Sequence, residues 1–167
     1  FPDFRSYERA FQLITQVSGR AGRREKPGKV VIQTSHTDHP VLNFILNHTQ
    51  EEFYNTEITD RREHAYPPFS RLIEIMVKHI DKKASRDAAH KLTEVLKATL
   101  TEVKVLGPGE PMVSKIRNHF LMTILIKIPR DSGQLHDIKQ RIQQAINLTL
   151  TQKEFRTVRI VADVDPL

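Results

Sequence analysis

Apolar positions in the first sixty residues recur with the period of a helix. Tyr7, Ala10, Phe11, Ile14 and Val17 share one stripe, and Gly19 predicts its end in the manner of a C-terminal glycine. Lys26-Pro27-Gly28 reads as a turn, and Val30, Val31 and Ile32 as a short buried strand. His39-Pro40 opens a helix through Val41, Leu42, Ile45 and Leu46, and residues 50–63 give another with Phe53, Tyr54 and Ile58 on one side.

Tyr66-Pro67-Pro68-Phe69 divides the chain, because two prolines cannot continue a helix and favour extended backbone. The predicted domains are residues 1–65 and 66–167. Beyond the boundary, Ile73, Ile75 and Val77 alternate with Glu74, Met76 and Lys78 as in a half-buried strand. Ala84, Ala88, Leu92, Val95, Leu96 and Leu100 form a helical face. Val103 and Val105 make a short strand ended by Gly107-Pro108-Gly109, and residues 120–128 a longer one, apolar on both faces near its middle. Leu135, Ile138, Ile142, Ala145 and Ile146 mark a second amphipathic helix, with Ser132 as its cap. Val158, Ile160, Ala162 and Val164 close with an alternating strand. The order β-α-β-β-α-β predicts an α+β domain: a ferredoxin-like plait, four antiparallel strands with both helices on one face.

The chain has 167 residues, 38% apolar and 28% charged, which suits soluble globular folding. No window approaches the ~20 apolar residues of a membrane span, so no membrane partner is expected. Phe1-Pro2-Asp3-Phe4-Arg5 lacks a basic region followed by an apolar run, so no signal peptide is read. Cysteine is absent, which excludes disulfides and thiolate metal sites. His36 and His39 lie three apart without a third ligand at zinc-site spacing, so they read as loop histidines. The net charge of +6 falls entirely in residues 66–167 and points to nucleic acid or an acidic peptide as partner.

The run Gln16-Val17-Ser18-Gly19-Arg20-Ala21-Gly22-Arg23 places two guanidinium groups three residues apart among glycines. Arginine presents a fixed fork of donors and glycine permits close backbone approach, a pairing suited to a polyphosphate. The run resembles motif VI of superfamily-two helicases. Its surroundings include Phe1-Pro2-Asp3-Phe4-Arg5, Pro27-Gly28-Lys29-Val30-Val31-Ile32, His39-Pro40, Arg61-Arg62, Tyr66-Pro67-Pro68-Phe69, Leu106-Gly107-Pro108 and Asp163-Val164-Asp165-Pro166. In that order they resemble the PriA (primosomal protein N′) family of replication-restart helicases over nearly the whole chain. The chain opens on Phe1 inside a helicase-like segment, so it reads as a C-terminal piece of a longer protein. Residues 1–65 then read as the last strand and trailing helices of a RecA-like lobe, which needs more strands than this segment holds.

The resemblance implies an ATP-driven three-prime to five-prime DNA helicase and primosome loader, bacterial, cytoplasmic and nucleoid-associated. It assigns catalysis to Arg20 and Arg23, reaching ATP on the other lobe, and nucleotide contact to Gln16, Gly19, Arg20 and Arg23. ATP and Mg2+ belong to the parent protein; Gly-x-x-x-x-Gly-Lys-[Ser/Thr] and an Asp-Glu pair are missing here, so this chain alone is expected to be inactive. Zinc belongs to a cysteine-rich segment of the parent and no metal is expected here. The implied partners are forked or single-stranded DNA, single-stranded DNA-binding protein and primosome proteins. Lys115, Arg117, His119, Phe120, Thr123 and Lys127 bracket the long strand as a basic rim that can hold a DNA backbone or an acidic peptide with a free carboxylate. Some relatives carry Arg and Gln where this sequence has His119 and Thr123. Lys82, Lys83, Arg86, Arg156 and Arg159 extend the basic surface. A stand-alone nucleic-acid or protein-interaction module without ATP coupling is the alternative.

Overall fold

The computed structural model describes residues 4–21 and 29–166. Two compact units divide between residues 64 and 65.

The first unit contains α1 (Ser6–Ala21), α2 (Pro40–Leu46) and α3 (Gln50–Glu63). Its small core is Phe11, Val41 and Phe53, with Phe11 and Phe53 stacked at 4.1 Å between ring centroids. Arg61 on α3 donates to Glu8 on α1 at 2.7 Å and lies over the Phe4 ring, which joins the first and last helices. His39 caps α2, its Nδ1 accepting from the Val41 amide. Two expectations fail here. Gly19 does not end its helix, which runs on to Ala21; a helical glycine is tolerated at about 1 kcal/mol when the surrounding turns carry the segment. Val30, Val31 and Ile32 form no strand and are not buried, Val31 being 80% exposed. Among the described residues of this unit no second strand offers a ladder, and an extended segment without one has nothing to pair with. The predicted turn at Lys26-Pro27-Gly28 lies outside the described residues.

The second unit is α+β. It contains β1 (Ser70–His79), α4 (Lys82–Thr99), β2 (Lys104–Gly109), β3 (Lys115–Ile116), β4 (His119–Pro129), α5 (Leu135–Thr151) and β5 (Arg159–Val164). The strands are antiparallel in the order β2-β4-β1-β5, with β3 paired to β4. Ile73, Ile75 and Val77 of β1 and Met122, Ile124, Ile126 and Ile128 of β4 pack against Ala88, Leu92 and Leu96 of α4 and Ile138, Ile142 and Ile146 of α5. Both helices therefore cover the same sheet face. Asp81 caps α4, accepting from the Ala84 amide at 2.9 Å. The Ser85 hydroxyl reaches the carbonyls of Val77 and Phe120, fixing the start of α4 to both central strands. Arg141 of α5 donates to the Thr99 carbonyl, Glu102 and Asp137, which closes the end of α4 onto α5.

Three local expectations are corrected in this unit. Gly107-Pro108-Gly109 does not end the second strand but lies within it, because the register with β4 shifts between Leu106 and Gly109 and pairing resumes. Gly107 holds φ +104, and a Cβ there meets the Thr123 carbonyl oxygen at 2.9 Å, so only glycine fits the shift. Ser132 does not cap α5, which begins at Leu135 after Gln134; the Ser132 amide instead closes a turn onto the Pro129 carbonyl. The two-residue strand β3 was not anticipated. No helix among the described residues is long and apolar enough to cross a membrane.

Ile124, at the centre of β4, is fully buried beneath both helices. Ile124→Ala is expected to cost about 2–5 kcal/mol. A urea-denaturation midpoint within error of wild type contradicts this placement of the core.

Candidate binding groove on the open sheet face

The sheet face away from the helices carries the alternate residues of each strand. Near the β3–β4 hairpin it holds a groove of about 380 Å³. Met76 of β1, Leu121 of β4 and Ile116 of β3 supply its apolar surface; Lys78, Arg117, His119 and Arg159 supply its basic groups. Strand register explains the gathering, since Lys78 lies opposite Leu121 on one side and Arg159 on the other. Two cations directly opposite each other destabilise an unliganded ladder by roughly 0.2–1 kcal/mol. An anion in the groove removes that repulsion.

Arg117 and Asn118 form the two-residue turn between β3 and β4, at φ 44 and φ 64. Both positions lie in the left-handed region that such hairpin turns require, usually met by Asn-Gly. An arginine there costs about 1–2 kcal/mol of backbone strain, and it stands at the mouth of the groove. The His119 Nδ1–H donates to the Arg117 carbonyl at 3.0 Å, leaving Nε2 as the ring's other polar atom.

The remaining residues of the predicted basic rim are placed differently. The Lys115 ammonium lies over the Phe120 ring at 4.7 Å on the hairpin itself. Thr123 is 1% exposed and its hydroxyl donates to the Gly109 carbonyl. Lys127 is 4% exposed and its Nζ sits 3.3 Å from the centre of the Tyr66 ring. A ligand in the groove meets Arg117 and His119, not Thr123 or Lys127. At the start of α4, Lys82 is paired with Glu110 and Lys83 with Asp87. The sequence pattern marks Lys78 as a polar strand position and Arg159 as an extension of the basic surface. Alternation gave their shared face, but only register could bring them side by side.

In the first unit, Gln16, Gly19 and Arg20 are exposed on the last two turns of α1. Gln16 and Arg20 are four residues apart, hence on one side of the helix. Arg23 lies outside the described residues. Gly19 also borders a pocket of about 310 Å³ with Phe11, Phe44 and Ile45, and a Cβ at Gly19 meets nothing within 4 Å. The His39 imidazole is engaged as a helix cap, its Nδ1 accepting from the Val41 amide. Asp60, Glu63 and His64 bring ligand atoms within 4.8 Å of one another, but all three are exposed and such clusters are common without an ion.

The family model for the primosomal protein N C-terminal domain matches residues 62–167, which include every residue of the groove. This chain belongs to that family. Among curated relatives of the PriA-type chain, the replication restart protein PriA of Bacillus subtilis (strain 168) is 37% identical over 166 residues. That alignment covers 99% of this chain and 20% of the relative. The protein of the same name from Chlamydia pneumoniae is 35% identical over 99% of this chain and 21% of its own length. That from Synechocystis is 35% identical over the whole chain and 19% of its own length. The chain thus spans about a fifth of the length of the curated relatives it matches. A hydantoinase/carbamoylase family amidase from Burkholderia ambifaria aligns with 57% of this chain and 27% of its own, at TM-score 0.37 and 14% identity, too low to carry an argument.

Burial, and then Lys104 directly opposite in the ladder, push the Lys127 ammonium down to about 8. An unfolded lysine keeps a value of about 10.4. Between those values the unfolded chain holds a proton that the folded chain has released, so Lys127 makes stability rise with pH across this window. The stability of wild type relative to Lys127→Met is expected to increase from pH 7 to pH 10. A difference that stays flat in urea denaturation at pH 7, 8, 9 and 10 contradicts the burial of a titrating amine at this position.

Proposed function

We propose that this chain is the C-terminal part of an ATP-driven three-prime to five-prime DNA helicase that restarts replication and assembles the primosome at stalled forks. The family match and the replication restart proteins aligned along its whole length support the reading. The observation that carries the chain's own contribution is the groove, four basic side chains around an apolar floor. Phosphate alone has no use for Met76 and Leu121. An acidic peptide end, such as the tail of single-stranded DNA-binding protein, uses both: its carboxylates meet Arg117, Lys78 and Arg159, and an apolar side chain rests on the floor. Forked or single-stranded DNA engages the same basic rim through its phosphates.

In the first unit, Arg20 and Arg23 are proposed to reach ATP and Mg2+ held by another lobe of the parent protein, with Gln16 and Gly19 beside them. A guanidinium at the γ-phosphate neutralises charge that develops as the phosphoryl group is transferred. Nucleotide then bridges two lobes, and hydrolysis releases their closure to drive movement along DNA. The parent's zinc has no ligands proposed in this chain. The proposed setting is the bacterial cytoplasm, at the nucleoid.

Fluorescence anisotropy of the chain with an acidic peptide ending in Phe, and with forked DNA, tests the groove. Arg117→Glu and Lys78→Glu are each expected to weaken the peptide at least tenfold with unchanged circular dichroism. DNA affinity is expected to fall steeply with salt. Binding of both ligands unaffected by either substitution removes the groove from the function.

Arg23→Ala in the full-length parent is expected to lower DNA-stimulated ATP hydrolysis by roughly 10³-fold or more, with Arg20→Ala also impaired. Wild-type hydrolysis in both variants returns the chain to a binding module without ATP coupling.

A further inference from the structure

β5 is an edge strand, bonded to β1 on one side, and no strand among the described residues pairs with its other side. The opposite edge, β2, is blunted by Pro108 and by the register shift between Leu106 and Gly109. β5 has neither device. Its register with β1 runs unbroken from Arg159 to Val164 and it contains no proline. An edge left this way is a template for another strand.

The side chains on its open face follow a specific order. Arg159 stands opposite Lys78, Val161 opposite Met76, and Asp163 opposite Glu74. Two cations face each other at one end of this ladder and two carboxylates at the other, with half-exposed Val161 between them. Each like-charge pair is repulsive within one chain. The two pairs are opposite in sign and sit symmetrically about Val161.

We propose that β5 pairs antiparallel with β5 of a second copy of this chain, about a two-fold axis at Val161. In that register Arg159 lies opposite the partner's Asp163, and Asp163 opposite the partner's Arg159. Across the joined sheets one row reads Lys78, Arg159, the partner's Asp163, the partner's Glu74, and the symmetric row repeats it. Each like-charge pair then meets its opposite. Val161 lies against the partner's Val161, and the free amides and carbonyls of both edges are satisfied. The contact is isologous, so it closes at two copies. Six residues a side bury less than the ~1,200–2,000 Å² of a stable interface, so the dimer is weak and concentration-dependent. The inference does not rest on any ligand of the groove.

Sedimentation velocity of the chain at roughly 10–300 μM, a range suited to a weak dimer, reads the outcome directly. The mass is expected to rise with concentration from one chain towards two. Arg159→Asp places two carboxylates across the axis, and Asp163→Arg two guanidinium groups; each is expected to abolish the rise. The double variant Arg159→Asp/Asp163→Arg restores the pattern with signs exchanged and is expected to recover the dimer. Neither single variant is expected to lower the melting temperature of the monomer, because each removes a like-charge pair within its own chain. A single-chain mass throughout overturns the proposal and leaves the edge to a strand of another protein. A dimer indifferent to both single substitutions, or one the double variant fails to restore, overturns it as well.

Discussion

The burial of β4 on both faces is the constraint on which the second unit depends. Residues 121–128 are all buried, and the strand pairs with β1 along its length, with β2 between Thr123 and Lys127 and with β3 at its start. On the helix side, Met122, Ile124, Ile126 and Ile128 hold α4 and α5. Each such side chain contributes about 1.5–3 kcal/mol on removal from water, so the strand's central position is strongly specified. A one-residue slip moves every side chain to the opposite face, taking the isoleucines out from under the helices and the Lys127 ammonium beneath them. On the other side, Tyr66 lies over Lys127. The groove opens at the far end of that face, near His119 and Leu121.

Electrostatics on the open face run against the stability of a single chain. Lys78 with Arg159, Lys104 with Lys127, and Glu74 with Asp163 are like charges in register. Elsewhere the same unit pairs its charges well, as in the Arg141 cluster and the Lys83–Asp87 bridge. Burial separates the three exceptions. Lys127 is enclosed and its ammonium is weakened. The other two pairs face solvent, where opposite charge from outside can reach them. The left-handed Arg117 at the hairpin tip adds a second local cost beside the first of these pairs. Two of these costs, the Lys78–Arg159 pair and the left-handed Arg117, meet at the groove.

The first unit rests on far less. A stack of Phe11 on Phe53, Val41 beneath it and the Glu8–Arg61 pair connect its helices. Leu13, Val17 and Val31 remain exposed. A unit with apolar side chains on its outside and a small core within has less of its own packing to hold it than the sheet unit does.

Much of this protein is legible in its sequence. Alternation at 73–77 and 158–164, helical spacing at 84–100 and 135–146, and the Tyr66-Pro67-Pro68 break reflect backbone geometry and local propensity, so they predicted the strands, helices and α+β class. The doubly apolar stretch at 120–128 marked a strand buried on both faces, and the charge pattern put Arg117 and His119 beside it, where they line the groove. Val30-Val31-Ile32 shows where local pattern stops: its residues suit a strand, but a strand exists only with a neighbour. Asp165 had no role in the sequence, yet its carboxylate accepts from the Leu72 amide, ninety-three residues away. Lys127 looked like a surface cation until the fold enclosed it. Periodicity along the chain decides which residues share a face. Register between distant strands decides which of them touch, and that choice is made by packing the whole core at once.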